Sequence, residues 1–93
     1  MLPVTLSNSE IEVALSALPG WRQEGSEIVT ERKFETYKEG LVFASAIGWF
    51  ADKAGHHPDL KIGYRKVEIR LSSHDTGSIT KRDIRMAQGI SKL

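Results

Sequence analysis

The sequence predicts an α+β domain whose elements run helix, two strands, helix, two strands, helix. Helical spacing of apolar residues follows a Ser or Thr that stands three positions before an acidic residue at Ser7/Glu10, Thr36/Glu39 and Thr80/Asp83. Between Val67 and Leu71 the spacing changes to strict alternation, the period of a strand with one buried face. Glycine and proline punctuate the joints.

Each element follows from its own residues. Ser7 and Glu10 form a capping-box pattern ahead of Ile11, Ala14, Leu15 and Leu18, which share a helical face, and Pro19-Gly20 stops that helix. Trp21 to Glu24 and Ile28 to Phe34 read as strands around Gly25-Ser26. Thr36 and Glu39 open the longest helix, with Phe43, Ile47, Phe50 and Ala54 as its core stripe. Val42 and Trp49 fall on another face, suited to a cavity or a subunit contact, and Trp49 and Tyr64 also have a core-filling reading. Gly48 costs about 1 kcal/mol in a helix interior, so close packing against it is expected. Gly55 ends the helix and leaves His56 and His57 in the following loop, where Pro58 disfavours helical geometry at His57. Asp59 to Tyr64 and Val67 to Ser73 form a hairpin turning at Arg65-Lys66, with His74 at its far end. The last helix starts near Thr80, with Ile84, Ala87, Ile90 and Leu93 facing the core. Lys81 and Arg82 oppose the helix dipole in its first turn, where Asp75 and Asp83 can offset them.

Composition narrows the function classes. At 93 residues the chain holds one domain, residues 1–93, without repeats or linkers. A domain this small buries about 60–65% of its unfolded surface, so self-association is a natural source of extra stability. Thirteen basic against twelve acidic residues give +1, which argues against a nucleic-acid footprint made of bulk charge. The chain has no cysteine, hence no disulfide, thiolate zinc site or cysteine nucleophile. Met1 to Leu6 lacks a basic region and a long apolar run, so no signal peptide is expected, and no window approaches a membrane span. The default reading is a cytoplasmic protein.

All three histidines sit at the edges of the second hairpin. An antiparallel hairpin brings the end of its second strand beside the start of its first, so His74 is expected to approach His56 and His57. One histidine alone is more often a surface or structural residue. Three that the hairpin converges favour chemistry, since imidazole titrates near neutral pH. Asp83 is explained by helix capping without any chemistry, and Asp52 equally well as an exposed residue of the last helical turn. Imidazoles with a carboxylate can bind zinc or iron, but adjacent histidines before a proline diverge and no compact chelate spacing is present. Hydrolysis lacks a serine elbow, because Ser72 and Ser73 are in strand context. General acid–base catalysis without a cofactor remains, each histidine being worth about 10²–10⁴-fold.

The pattern Asp52-x-x-x-His56-His57-Pro58, then Tyr64, His74 and Asp83, resembles the signature of the pterin-4a-carbinolamine dehydratase family. The likeness covers nearly the whole chain, from Leu18-Pro-Gly-Trp21 through Lys66-Val67 to Ser73-His74-x-x-Gly77-x-x-Thr80-x-x-Asp83. It implies a four-stranded antiparallel sheet with three helices packed on one face, assembling as a homodimer or homotetramer. It also implies a hydro-lyase that dehydrates 4a-hydroxytetrahydropterin to quinonoid dihydropterin, with no metal, no other cofactor, and no nucleic-acid or membrane partner. By position, His56 and His74 would be the acid–base pair and His57 would hold the pterin. Asp83 and Asp52 would be supporting residues, and His56, His57, Pro58, Ser73, His74, Asp75 and Thr76 would contact substrate. Leu60 stands where many relatives carry an aromatic residue, while Gly63, Arg65 and Ser78 also depart from the common pattern. Some relatives of this fold are non-catalytic instead, acting as dimerisation partners of a transcription factor or as assembly factors for a carboxylating enzyme. Such a role would use the sheet or the helix patch with Val42 and Trp49 and leave the histidines dispensable.

Overall fold

The computed structural model describes residues 4–93, so the first three residues of the opening segment read above lie outside it. Its elements are α1 (Asn8–Ser16), β1 (Arg22–Glu24), β2 (Glu27–Lys33), α2 (Tyr37–Ala54), β3 (Asp59–Ile62), β4 (Lys66–Leu71) and α3 (Lys81–Ile90). The strands form one antiparallel sheet in the order β1-β2-β4-β3. This is the α+β architecture and element order expected from the sequence.

Register decides which side of the sheet is covered. Ile28 pairs with Leu71, Thr30 with Ile69 and Arg32 with Val67. Ile28, Leu71, Ile69 and Val67 are buried in one cluster with Ile11, Phe43, Ile47, Ala51, Ile84, Met86, Ala87 and Ile90 of the three helices. The alternate positions Glu31, Lys33, Lys66, Glu68 and Arg70 form the opposite, charged face. Val29 is the apolar exception there, fully buried between its cross-strand partners Arg22 and Arg70, whose aliphatic stems shelter it.

Local chemistry explains most boundaries. Both capping boxes at Ser7/Glu10 and Thr80/Asp83 are closed. At α2 the box is half made: the Thr36 hydroxyl accepts from the Glu39 amide, but it donates to the Glu39 carboxylate instead of leaving that group for the Thr36 amide. Gly55 caps α2 at φ 69°, a left-handed conformation that glycine adopts without steric cost.

Several expectations are corrected. Helix α1 ends at Ser16, so Leu18 is buried from the turn beyond it. The α2 stripe runs through Gly40, Phe43, Ala44, Ile47 and Ala51, with Phe50 at its margin and Ala54 exposed. Gly48 is exposed, and an added Cβ would meet nothing within 4 Å. The close approach is at Gly89 of α3, where a Cβ would stand 2.1 Å from Phe50 Cζ. The second hairpin turns through Gly63, Tyr64 and Arg65, one step earlier than expected, closed by the Gly63 amide donating to the Lys66 carbonyl at 2.7 Å. Tyr64 and Leu93 are exposed rather than core, and Trp49 lies exposed on the face of α2 away from the core stripe, lining a concavity instead of filling the core. No helix among the described residues is long and apolar enough to cross a membrane.

Candidate active site

Three chain segments meet at one end of the sheet. The turn after α2 carries His56 and His57, the loop after β4 carries His74 and Asp75, and the first turn of α3 carries Arg82 and Asp83. Gly55, His56, His57, Ser72, His74 and Asp75, with Arg82, line a single open cleft of about 210 Å³. Ring placement thus follows from the caps: Gly55 turns the chain out of α2, and the Thr80/Asp83 box fixes the start of α3 opposite it.

The cleft is built on a buried carboxylate. Asp83 is fully buried, and its Oδ1 lies 2.6 Å from His56 Nε2, whose side chain is 14% exposed. Its Oδ2 accepts from the Ser73 hydroxyl and from the Thr80 amide, each at 2.9 Å. An ionised carboxylate only accepts, so Nε2 of His56 is the nitrogen that donates. Nδ1 has no hydrogen-bond partner among the described residues and is not sealed from solvent. Burying an aspartate is costly unless its oxygens are satisfied, and here three donors satisfy it. The capping role of Asp83 is therefore real, and it does not exhaust the residue.

The other expected residues are placed differently. His57 borders the cleft, but its Nε2 turns to Asp52 Oδ1 at 3.0 Å, with side chains 62% and 82% exposed. His74 is exposed and lines the same cleft. Asp75 also lies on the rim, where an ion pair with the Arg82 guanidinium holds its carboxyl below the usual carboxylate range. Pro58 lines an adjoining concavity of about 410 Å³ with Gly48, Trp49, Asp52, His57 and Leu60. The Thr76 hydroxyl is used within its own loop, on the Ser73 carbonyl and the Ser78 hydroxyl. Ser73 is fully buried, with its hydroxyl bonded to Asp83 and Thr80. Arg82 escaped the sequence reading as a cleft residue, although its place beside Asp83 in the first helical turn was a usable signal. Among the described residues no three His, Asp or Glu side chains converge closely enough to hold a metal ion, so the imidazoles stand as separate groups.

An imidazole backed by a buried carboxylate, at a small cleft that two further imidazoles also line, is an arrangement chemically able to give and take protons. Comparison with known proteins carries this further. The family model described as "Pterin 4 alpha carbinolamine dehydratase" matches residues 4–93. A protein of Natronomonas pharaonis is 47% identical over 88 residues, covering 95% of this chain and 94% of the relative. One from a Nostoc species is 42% identical over 88 residues, covering 95% of each, and both bear the name "Putative pterin-4-alpha-carbinolamine dehydratase". A Brucella melitensis crystal structure, described as a transcriptional coactivator/pterin dehydratase, superposes with a TM-score of 0.90 at 30% identity over 96% of this chain and 97% of that one. A pterin dehydratase-like protein described as a RuBisCO assembly factor in the alpha-carboxysome shares the fold, with a TM-score of 0.67 at 20% identity over 78% of this chain and 87% of that one. The chain belongs to the pterin 4 alpha carbinolamine dehydratase family, and with it to the hydro-lyases.

Proposed function

We propose that this chain dehydrates a 4a-hydroxytetrahydropterin to the quinonoid dihydropterin by general acid–base catalysis without a cofactor, supporting tetrahydropterin recycling in the cytoplasm. The observation that carries the reading is the 2.6 Å His56–Asp83 pair at a cleft that His74 also lines. Breaking the C4a–O bond needs a proton on the departing hydroxyl, because hydroxide is a poor leaving group. Ring nitrogens push electrons toward C4a as the bond breaks, and a ring N–H proton is then lost. One imidazolium supplies the first proton and one neutral imidazole takes the second, so water leaves and the proton count balances. Asp83 keeps the His56 ring oriented with Nδ1 free for that exchange, and His74, which lines the same cleft, serves as the second group. His57, tied to Asp52, holds the edge of the bicycle, and the Asp75–Arg82 pair bounds the other side. The cleft is small, about 210 Å³, and open on one side.

Self-association is part of the same reading. The outer face of α2 exposes Leu41, Val42 and Trp49 around the uncovered Gly48, and β3 is a sheet edge with unpaired backbone groups. These features support a homodimer or homotetramer.

A hydroxylase-coupled or stopped-flow assay tests the proposal. The purified protein accelerates carbinolamine dehydration, and His56→Ala and His74→Ala each lose about 10²–10⁴-fold in rate while keeping the fold. Unmodified rates in both variants would take the histidines out of the chemistry, and no acceleration by the unmodified protein would hand the chain to the other reading, a dimerisation or assembly factor working through the α2 face or the sheet.

A further inference from the structure

We propose that Ser73 is a positioning residue of this site, orienting Asp83 for His56 while anchoring the loop that carries His74; the catalytic part of this inference rests on the acid–base reading above. Ser73 follows the end of β4 and is fully buried. Its hydroxyl has one proton, donated to Asp83 Oδ2 at 2.9 Å. The 2.7 Å contact between the Ser73 and Thr80 hydroxyls therefore runs with Thr80 as donor. Thr80 in turn accepts the Arg82 amide through the same oxygen at 3.2 Å, which caps α3. A directed chain results, from the Thr80 hydroxyl to the Ser73 hydroxyl to the Asp83 carboxylate.

The consequence is a carboxylate with no freedom to turn. Oδ2 is held by Ser73 and by the Thr80 amide, which leaves Oδ1 aimed at His56. Rotating it would break three charge-assisted bonds together. The main chain of Ser73 does a second task. Its carbonyl accepts from the amides of Thr76, Gly77 and Ser78, and its own amide donates to the Ser78 carbonyl at 2.8 Å. That closes a tight loop whose first residue is His74. One buried residue thus ties the two imidazoles to the same point by separate means, the hydroxyl for His56 and the backbone for His74.

Ser73→Ala separates those means, since it deletes the hydroxyl and keeps the backbone. In ¹⁵N-labelled full-length protein, the His56 Nε2–H exchanges with solvent about tenfold more slowly than that of His57, because the His56–Asp83 pair is buried whereas the His57–Asp52 pair is exposed. Ser73→Ala speeds that exchange about tenfold and lowers kcat about tenfold, with KM changed less than about twofold, because an interaction that orients rather than binds is lost. His74 ring signals stay in place, and Ser73→Thr restores both exchange and kcat. A merely structural serine would lower the melting temperature and leave the His56 signal alone. A folded Ser73→Ala protein with unmodified exchange and kcat overturns the proposal. Should the alanine variant not fold, Ser73→Cys, similar in size but a weaker donor, is read the same way, and a His56 proton as protected there as in the unmodified protein overturns it. If the unmodified protein shows no turnover, the dehydratase reading falls while the exchange measurement still decides the role of Ser73.

Discussion

Asp83 shows how one side chain serves two masters. As a residue at the third position of α3 it closes the capping box with Thr80, and as a buried anion it orients His56. The two duties respond differently to Asp83→Asn. An asparagine carbonyl can still accept from the Thr80 amide and the Ser73 hydroxyl, so the cap survives. Its amide nitrogen then faces His56 as a donor, which forces Nε2 to accept and moves the ring proton to Nδ1. We expect turnover to fall by at least about 10²-fold. Melting should drop by no more than about 4–8 °C, the equivalent of about 1 kcal/mol in a domain of this size. Matched kinetics and calorimetry on the two proteins check this. Full turnover in Asp83→Asn would show that the carboxylate only caps the helix.

At the scale of elements, the sequence revealed most where periodicity and capping agree. Helices α1, α2 and α3 and strand β4 were legible because each joins a start signal or a strict period to a buried face. The three-residue β1 carries no such period, since all of its residues are exposed and its place comes from pairing with β2. Ala54 and Leu93 matched the helical spacing but fall at or beyond a terminus, where nothing packs over them. That His56, His57 and His74 line one cleft was legible because an antiparallel hairpin brings the segments flanking its two strands together. The Ser73–Thr80 relay was not, because hydroxyl residues in a loop are common and only burial makes these two selective. Gly48 and Gly89 make the same point: helix propensity suggested a close contact at Gly48, whereas tertiary packing chose Gly89. Gly89→Ala would gain about 1 kcal/mol of helix propensity. It would also drive a methyl into the Phe50 ring, an overpacking cost of about 1–3 kcal/mol. We expect a net loss of about 1 kcal/mol in denaturant unfolding, with the wall beside His56 disturbed because Phe50 and His56 line the same concavity. An unchanged or raised midpoint would mean that Phe50 swings clear without cost.

On the scale of the whole molecule, the two broad surfaces differ in kind. The open face of the sheet spends its charges internally: Arg70 pairs with Glu24, Glu27 and Glu68, while Glu31 takes Arg22 and Lys66. Glu24 and Glu68 are accordingly held below the usual carboxylate range by their arginine partners, so this lattice persists above that range and is lost as the pH falls below it. With most of its charges paired among themselves, this face offers little to a charged partner. The outer side of α2 is more apolar, with Trp49 83% exposed beside Leu41 and Val42 and the carboxylate of Asp52 at its edge engaged by His57. A small domain gains most by covering such a patch with its own copy, since a two-fold contact buries it twice. His57 lines the concavity below Trp49 as well as the histidine cleft, so assembly would also wall the site on that side. Light scattering on the unmodified protein should therefore give a dimer or tetramer mass, and Trp49→Glu, which places a charge at the centre of the patch, should lower it by at least one step. The same mass in both proteins would move the seam away from α2, leaving the exposed edge of β3 as the surface that joins the copies.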